Sequence, residues 1–220
     1  MSASRFPDRA AAGRELGAVL AQRGYGAADP VVLGLPRGGV EVAAEVAAAL
    51  GVDVDVFVAR KIGHPAQPEF GVGALAEGDG EPVFDEQALR HTGLTPERLL
   101  GTVKRERDEL DRRVGAYRGG RELPDLAGRT VILVDDGVAT GVTARAALRT
   151  LRGRGPAHVV LAAPVAALGA VEELASEVDE VVVLTTPAGF RSVGQAYGRF
   201  GQTSDATVLR LLADRSDPGS

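Results

Sequence analysis

The segment from Val131 to Thr143 combines two carboxylates with small residues and hydroxyls in a short space. Four apolar residues, Val131–Val134, come first and are typical of a buried strand. Asp135 and Asp136 follow, and a glycine-containing turn then leads to Thr143, where an alanine-rich helical stretch begins. The free N–H groups and the positive dipole end of a helix N-terminus favour a phosphate. The segment therefore predicts a site for a phosphorylated, hydroxyl-rich ligand.

The acid pair must contact a different part of such a ligand from the turn. Asp135 and Asp136 repel a phosphate, but they accept hydrogen bonds from hydroxyls or contact a divalent cation that bridges to the ligand. Thr140 and Thr143 add hydroxyl donors within the turn. A plainer alternative is an acid pair that follows any parallel strand, although such strand ends commonly carry ligands.

The whole run closely resembles the signature of the type I phosphoribosyltransferases that binds phosphoribosyl pyrophosphate (PRPP): four apolar residues, two acids and a small-residue turn ending in Thr-Gly-x-Thr. The resemblance implies that Asp135 and Asp136 hold the ribose 2- and 3-hydroxyls. It also implies that the turn from Ala139 to Thr143 wraps the 5-phosphate. The residues that would bind PRPP are Asp135, Asp136, Gly137, Val138, Ala139, Thr140, Gly141, Val142 and Thr143.

A second glycine-rich turn, Gly34–Gly39, follows a short apolar run and opens another predicted helix. Glycines let backbone N–H groups approach an anion closely, and Arg37 adds the donors of its guanidinium. The turn resembles the pyrophosphate loop of the same family, which implies pyrophosphate contacts from Pro36, Arg37, Gly38 and Gly39. A purely structural turn is the alternative, and the sequence does not decide whether the Leu35–Pro36 bond is cis.

Two basic residues, Arg60 and Lys61, follow Val52–Ala59, whose alternating pattern predicts a second strand. The resemblance implies that they contact pyrophosphate, and Lys61 is notable because lysine is rare in this chain. Solvated surface charges are the alternative. Because the carboxyl ends of parallel strands meet at one edge, we expect these bases, the Pro36–Gly39 turn and the acid pair to lie together. The candidate catalytic residues are Asp135, Asp136, Lys61 and Arg37.

The pattern between residues 62 and 122 is looser. Phe70–Ala76 and Glu81–Phe84 predict a hairpin across Glu77–Gly80, and a highly charged helix is predicted from Thr95 to about Tyr117. The resemblance implies a mobile lid that closes over the leaving pyrophosphate. Its candidate basic residues are Lys104, Arg105 and Arg107. A solvated, ion-paired helix face is the alternative.

The acceptor side of the site is predicted near the C-terminus. Phe190, with Val193 and Tyr197 nearby, can stack on a planar ring, and the resemblance implies a hood over the acceptor. Local packing is the alternative. Ala139 stands where the 6-oxopurine enzymes of the family have an acid/base aspartate. This departure disfavours a hypoxanthine or guanine acceptor and leaves the acceptor unidentified.

Strands alternate with helices along the chain, which predicts an α/β fold with a parallel sheet and helices on both faces. The resemblance implies the three-layer type I phosphoribosyltransferase fold, with a hairpin-and-helix insertion and a C-terminal hood. We expect one domain over residues 1–220. Its core is predicted at about 31–61 and 128–184, the insertion at about 62–122 and the hood at about 185–213.

Composition excludes several function classes. The chain has 220 residues, a net charge of −5 and no cysteine, so it can form neither a disulfide nor a thiolate metal site, and nonspecific nucleic-acid binding is disfavoured. No apolar run reaches transmembrane length and no signal peptide is evident, so we expect a cytoplasmic protein without a membrane partner. The three histidines lack metal-site spacing. The expected metal is Mg²⁺ that arrives with PRPP and contacts Asp135 and Asp136 indirectly.

The predicted function is PRPP-dependent transfer of ribose 5-phosphate to a nitrogenous base or related acceptor, with release of pyrophosphate. A homodimer is the default expectation for such an enzyme. The principal alternative is a non-catalytic PRPP- or nucleotide-binding regulator on the same fold. A phosphohydrolase that uses the acid pair for magnesium explains the two carboxylates but not the Thr-Gly-x-Thr turn.

Overall fold

Strands and helices alternate along residues 5–78 and 80–214, the part of the chain that the computed structural model describes. The strands are β1 (Val31–Gly34), β2 (Val54–Val56), β3 (Ala59–His64), β4 (Gln67–Ala76), β5 (Val83–Phe84), β6 (Thr130–Val134), β7 (His158–Val165) and β8 (Glu180–Thr185). The helices are α1 (Arg9–Gln22), α2 (Gly38–Leu50), α3 (Glu86–Thr92), α4 (Leu100–Arg118), α5 (Val142–Arg152), α6 (Leu168–Leu174) and α7 (Asp205–Ala213). Within these ranges, no helix has both the length and the apolar character that crossing a membrane requires.

Five strands form a parallel sheet in the order β2-β1-β6-β7-β8. The chain moves from β1 to β2 on one side, and from β6 through β7 to β8 on the other. The direction of the strand order therefore reverses between β1 and β6, which is where open α/β sheets place their ligands.

Alternate residues of these strands face the two sides of the sheet, as the period of an extended chain requires. Val32 and Ile132 pack in one buried cluster with residues of α1 and α2. Leu33 and Leu133 pack in a second cluster with residues of α5 and α6. Helices cover both faces of the sheet, so the predicted α/β fold with its three layers is confirmed.

The predicted second strand is wrong in its extent, and this moves Arg60 and Lys61. The run Val54–Ala59 is buried throughout, but β2 ends at Val56 and β3 begins at Ala59 in a separate antiparallel sheet of order β3-β4-β5. The chain passes from one sheet to the next without leaving the core, so the apolar residues from Val56 to Ala59 continue without a break. Arg60 and Lys61 consequently lie inside β3 and not at the carboxyl end of a parallel strand.

The rest of the insertion follows the prediction more closely. The hairpin is confirmed, because β4 pairs antiparallel with β5 at Gly73 and Phe84, although β4 pairs along most of its length with β3. Asp79 of the predicted turn lies outside the described residues. The charged helix is also confirmed, since a 3-10 turn at Pro96–Leu99 leads into α4 and Gly119 follows α4 with a φ of 58°. Helix α3 has no counterpart in the prediction.

A buried ion-pair cluster joins the end of α4 to both sheets. Arg118 Nη2 donates to the Val56 carbonyl and to Glu77 Oε1, both at 2.6 Å, and its Nε lies 3.8 Å from Asp55 Oδ1. Arg118, Glu77 and Asp55 are only 6%, 3% and 3% exposed. Because a charge is stable in the interior only when it is paired, the insertion is fixed to the core at this point.

Candidate functional site

The register of β1 and β6 brings two of the predicted loops together. Gly34 pairs with Val134, and the Leu35 N–H donates to the Val134 carbonyl at 2.9 Å. The turn after β1 and the acid pair after β6 therefore leave neighbouring strands at the same level. Both lie at the carboxyl edge of the sheet, where its strand order reverses.

Gly38 and Gly39 pack directly against the acid pair. A Cβ atom on Gly38 would lie 2.0 Å from Asp136 Oδ2, and one on Gly39 would lie 2.8 Å from the Val134 carbonyl oxygen. Any larger residue would displace the acids or the strand end. The cis peptide bond of this loop joins Pro36 and Arg37.

Replacement of Gly38 by alanine should therefore weaken binding of a ribose-containing ligand by about tenfold or more, since the new methyl group displaces the Asp136 carboxylate. Calorimetric titration with PRPP and Mg²⁺ measures the effect. Gly101→Ala is the matched control, because nothing lies within 4 Å of a Cβ at Gly101 in α4. Equal affinities for the two variants would contradict the close packing of Gly38 on Asp136.

Burial raises the pKa of both acids. Asp135 Oδ1 accepts a hydrogen bond from the Asp136 N–H at 2.8 Å. Burial and the neighbouring Asp136 carboxylate raise the pKa of Asp135 well above its usual range. Burial also raises the pKa of Asp136, but Arg9 opposes this, because its Nε lies 2.6 Å from Asp136 Oδ2.

The raised pKa of Asp135 has a consequence for stability. Folding favours the protonated form of Asp135 relative to the unfolded state. The stabilisation that results is fully present below the unfolded pKa and is lost as the pH rises through the folded pKa. We expect Asp135→Asn to raise the unfolding temperature at pH 7 by about 2–4 °C, for a gain of about 1 kcal/mol. Thermal denaturation at several pH values checks this. The gain should disappear near pH 3, and a lower unfolding temperature at pH 7 would refute the assigned burial cost.

The turn after the acid pair presents a row of free backbone donors. Within residues 5–78 and 80–214, no hydrogen bond uses the N–H of any residue from Ala139 to Ala144, or the hydroxyls of Thr140 and Thr143. Gly141 has a φ of 74°, and α5 begins at the next residue. Six consecutive N–H groups at a helix N-terminus form a cradle suited to a phosphate. The predicted phosphate loop thus has the donors that its role requires.

The predicted pyrophosphate residues divide into two groups. Gly38 and Gly39 open α2, and no described residue accepts a hydrogen bond from their N–H groups. The Arg37 side chain is one-third exposed, and its Nη1 lies 3.6 Å from Asp205 Oδ1. Asp205, the first residue of α7, also accepts a hydrogen bond from Tyr117 at 2.6 Å. The ion pair with Asp205 holds the Arg37 side chain toward α7.

Arg60 and Lys61 make contacts elsewhere. Arg60 binds Glu106 of α4 at 2.5 Å, and Lys61 Nζ donates to the Glu69 carbonyl at 2.8 Å. Both line a cavity of about 300 Å³ together with His64 and Arg105. The expectation that these bases meet the acid pair at one sheet edge is therefore wrong for this conformation, because β3 belongs to the second sheet.

The candidate lid residues are mostly engaged within the insertion. Arg107 donates to the carbonyls of Ala76, Gly78 and Gly80 at 2.7–3.1 Å, and so fixes the turn that follows β4. Arg105 contacts Gly101 and Thr102 of its own helix. Lys104 is exposed. The alternating charges of α4 thus serve largely in local ion pairs, such as those of Glu109 with Arg112 and Arg113.

The C-terminal segment covers the acid pair. Phe190 is half-buried and packs on a small cluster that contains Phe6 and Tyr197. The Tyr197 hydroxyl donates to the Asp136 carbonyl at 2.5 Å, and its ring stacks on Phe200 with the ring centroids 5.3 Å apart. Tyr197 therefore holds the acid pair by binding the main-chain carbonyl of Asp136. The sequence suggested only that the Tyr197 ring could stack on an acceptor.

Arg9 is the site residue that sequence reasoning missed. It is 8% exposed and lies at the first position of α1, where the Asp8 side chain caps the helix. Its partner Asp136 is 127 residues away, so no local pattern could reveal the pair. An arginine at the first position of a helical pattern is the one signal that the sequence offers. The sequence alone does not distinguish a buried arginine there from a surface one.

The acid pair suits a hard cation. Mg²⁺ binds through one or two carboxylates together with substrate phosphates, and Asp135 and Asp136 supply such oxygens. No group of three or more His, Asp or Glu side chains in the described ranges could hold a metal ion by itself. A metal at this site would therefore need oxygens from a ligand.

A larger cavity, about 740 Å³, lies at the opposite end of the sheet. It is lined by Pro30 and Val31 at the start of β1, by Val54 of β2 and by Gly51 after α2. Amino ends of parallel strands are not where α/β sheets place their ligand sites, so the acid pair carries the functional argument.

Comparisons with known proteins agree with this geometry. Two Mycobacterium tuberculosis proteins, from strains CDC 1551 and H37Rv and provisionally named as phosphoribosyl transferases, are each 46% identical to the chain over 207 residues. These matches cover 94% of the chain but 46% of each relative, so the chain spans about half the length of the curated relatives it matches. The crystal structure of TT1426 from Thermus thermophilus is 45% identical, with a TM-score of 0.78, and the match covers 97% of this chain and 100% of that one.

The family model described as the phosphoribosyl transferase domain matches residues 5–194. This range includes α1, the turn after β1, the insertion and the acid pair with its phosphate loop. The protein therefore belongs to the phosphoribosyl transferase domain family.

Proposed function

We propose that the protein transfers ribose 5-phosphate from PRPP to a nitrogenous acceptor and releases pyrophosphate. The observation that carries this proposal is the cradle of free N–H groups from Ala139 to Ala144 directly after Asp135 and Asp136. The cradle would bind the 5-phosphate, and the carboxylates would accept hydrogen bonds from the ribose hydroxyls. A phosphate and a diol on one small molecule match these two surfaces.

The pyrophosphate of PRPP would lie against the start of α2. Gly38 and Gly39 offer free N–H groups there, and Arg37 can turn from Asp205 toward a stronger anion. Contacts from Arg60 and Lys61 would require both side chains to leave their partners Glu106 and Glu69 within the insertion. Mg²⁺ that is bound by the ligand and contacts the acid pair indirectly would neutralise part of the pyrophosphate charge.

The reaction would be a displacement at the anomeric carbon. A nitrogen lone pair of the acceptor forms the new bond as the bond to the pyrophosphate oxygen breaks, and pyrophosphate leaves with that electron pair. Arg37 and the N–H groups of Gly38 and Gly39 would stabilise the charge on the leaving group. Asp135 and Asp136 would fix the ribose near its developing positive charge, and neither need transfer a proton. The proton lost by the acceptor would pass to solvent.

The acceptor would lie under the C-terminal segment, where Phe190 is half-buried beside the cluster of Phe6 and Tyr197. Ala139 provides no acid or base for a purine ring. The acceptor would thus be a nitrogen nucleophile that needs no carboxylate at this position, and Phe190 would contact its planar part.

Pyrophosphate release tests the proposal. The protein is mixed with PRPP, Mg²⁺ and a panel of purine, pyrimidine and simple amine acceptors, and a reaction without acceptor measures hydrolysis. We expect one acceptor class to raise pyrophosphate release above that background. PRPP binding with no release for any acceptor would instead favour a non-catalytic PRPP-binding regulator.

A further inference from the structure

Arg9 of α1 connects the acid pair to the C-terminal segment that follows β8. Its Nε donates to Asp136 Oδ2 at 2.6 Å, and its Nη1 donates to the Gly201 carbonyl at 2.9 Å. Its guanidinium carbon lies 4.1 Å from the centre of the Phe200 ring. Glu41 of α2 is also near, 3.7 Å from Nη1. One buried side chain therefore joins α1, the end of β6 and the C-terminal segment.

The contacts of the two acids leave one oxygen of each carboxyl group available. Asp136 Oδ2 is bound by Arg9, and Asp135 Oδ1 is bound by the Asp136 N–H. Within the described part of the chain, no N–H group reaches Asp136 Oδ1 or Asp135 Oδ2, and the two carboxyl groups also interact with each other through their side chains. One oxygen of each carboxyl group thus remains without an N–H donor, and two acceptors are the number that the neighbouring hydroxyls of a ribose need.

We propose that Arg9 positions Asp136 for the ribose by holding Oδ2, so that Oδ1 is left in place for a hydroxyl of the ligand. This inference rests on the proposed function, since it assumes that the acid pair binds the sugar. Arg9 contacts Asp136 and not the ligand, so it is a positioning residue.

The shape of arginine fits this role. The planar fork donates to Asp136 and to the Gly201 carbonyl from different nitrogens, while its face packs on Phe200. The space is limited, because a Cβ on Gly38 would lie 2.7 Å from Arg9 Nε. Lysine can supply the charge to Asp136 but cannot make all of these contacts at once.

The test compares two ligands that share a phosphate but differ in the sugar. Dissociation constants for ribose 5-phosphate and for inorganic phosphate are measured by calorimetry for the wild type, Arg9→Gln, Arg9→Lys and Arg14→Gln. Arg14 is the matched control, because it lies on the same helix, is 61% exposed and pairs with Glu45 at the surface. Circular dichroism and thermal denaturation confirm that each variant folds.

We expect Arg9→Gln to weaken ribose 5-phosphate binding about tenfold or more, as loss of a residue that orients a ligand-binding group typically does, and to change phosphate binding less than twofold. Arg9→Lys should recover part of the loss, because it supplies the charge to Asp136 without the contacts to Gly201 and Phe200, and Arg14→Gln should match the wild type. Equal losses for both ligands, or no loss for ribose 5-phosphate, would overturn the proposal.

Failure of the proposed function gives a different result. If wild-type protein does not bind ribose 5-phosphate, the acid pair is not a sugar site. The effect of Arg9 on Asp136 is then measured by NMR, through the carboxyl carbon resonance of Asp136 in ligand-free protein at one pH. Arg9→Gln should shift this resonance, whereas Arg14→Gln should not. An unmoved resonance would overturn the positioning of Asp136 by Arg9.

Discussion

The double variant Asp135→Asn, Asp136→Asn should lose PRPP binding by a factor of at least about a hundred. Each carboxyl group has one oxygen that no N–H group reaches within the described residues, and this oxygen would accept from a ribose hydroxyl. A hydrogen bond to a charged group contributes about 1.5–3 kcal/mol, so loss of two such bonds costs about 3–6 kcal/mol in binding. Calorimetric titration with PRPP and Mg²⁺ measures the loss. The fold should persist, because asparagine has the shape of aspartate and because Glu41, 3.7 Å from Arg9 Nη1, still pairs with the Arg9 cation.

Two controls give this result its meaning. Asp29→Asn removes an acid that is 85% exposed and lies at the opposite end of the sheet, and it should leave PRPP affinity unchanged. Inorganic phosphate should bind the double variant at least as well as the wild type, because the free N–H groups remain and the repelling charges are gone. Undiminished PRPP affinity in the double variant would show that the acid pair does not bind the sugar.

Arg118→Ala should have the largest effect on stability. Arg118 is 6% exposed and donates to Glu77 and to the Val56 carbonyl. Its removal leaves the Glu77 carboxylate buried without that cation, and breaking a buried ion pair in this way costs about 3–5 kcal/mol. Burial raises the pKa of Glu77, and Arg118 opposes that rise. Without Arg118, the Glu77 carboxylate should therefore take up a proton more readily when the protein folds. Chemical denaturation measures the loss in the free energy of unfolding.

Arg112→Ala is the matched control on the same helix. Arg112 is 54% exposed and pairs with Glu109 at the surface, so its loss should cost less than about 1 kcal/mol. If both variants lose the same small amount, Arg118 does not fix the insertion to the core.

The strands and turns around the acid pair are predictable because they are local. The apolar run at Val131–Val134, the acids that follow it and the glycines of the first turn each specify their own conformation. The parallel arrangement then places the two turns at one sheet edge, and the register of Gly34 with Val134 follows. Helix α7, from Asp205 to Ala213, is also marked by its own sequence.

The features that could not be predicted depend on contacts between distant residues. The run Val54–Ala59 is buried throughout and apolar except for Asp55, and that pattern does not show that Val56 and Ala59 belong to different sheets. The contacts of Arg9 with Asp136 and of Tyr197 with the Asp136 carbonyl join segments that lie far apart in the chain. Only the tertiary fold reveals them, and they are what hold the acid pair in place.

The position of PRPP in a crystal structure of the protein grown with PRPP and Mg²⁺ tests the central claim most directly. The account predicts the ribose hydroxyls within about 3 Å of Asp135 and Asp136, and the 5-phosphate within hydrogen-bond distance of the N–H groups from Ala139 to Ala144. It also predicts the pyrophosphate against Gly38 and Gly39. PRPP bound elsewhere, or an acid pair without ligand at saturating PRPP, would contradict the assignment of this site.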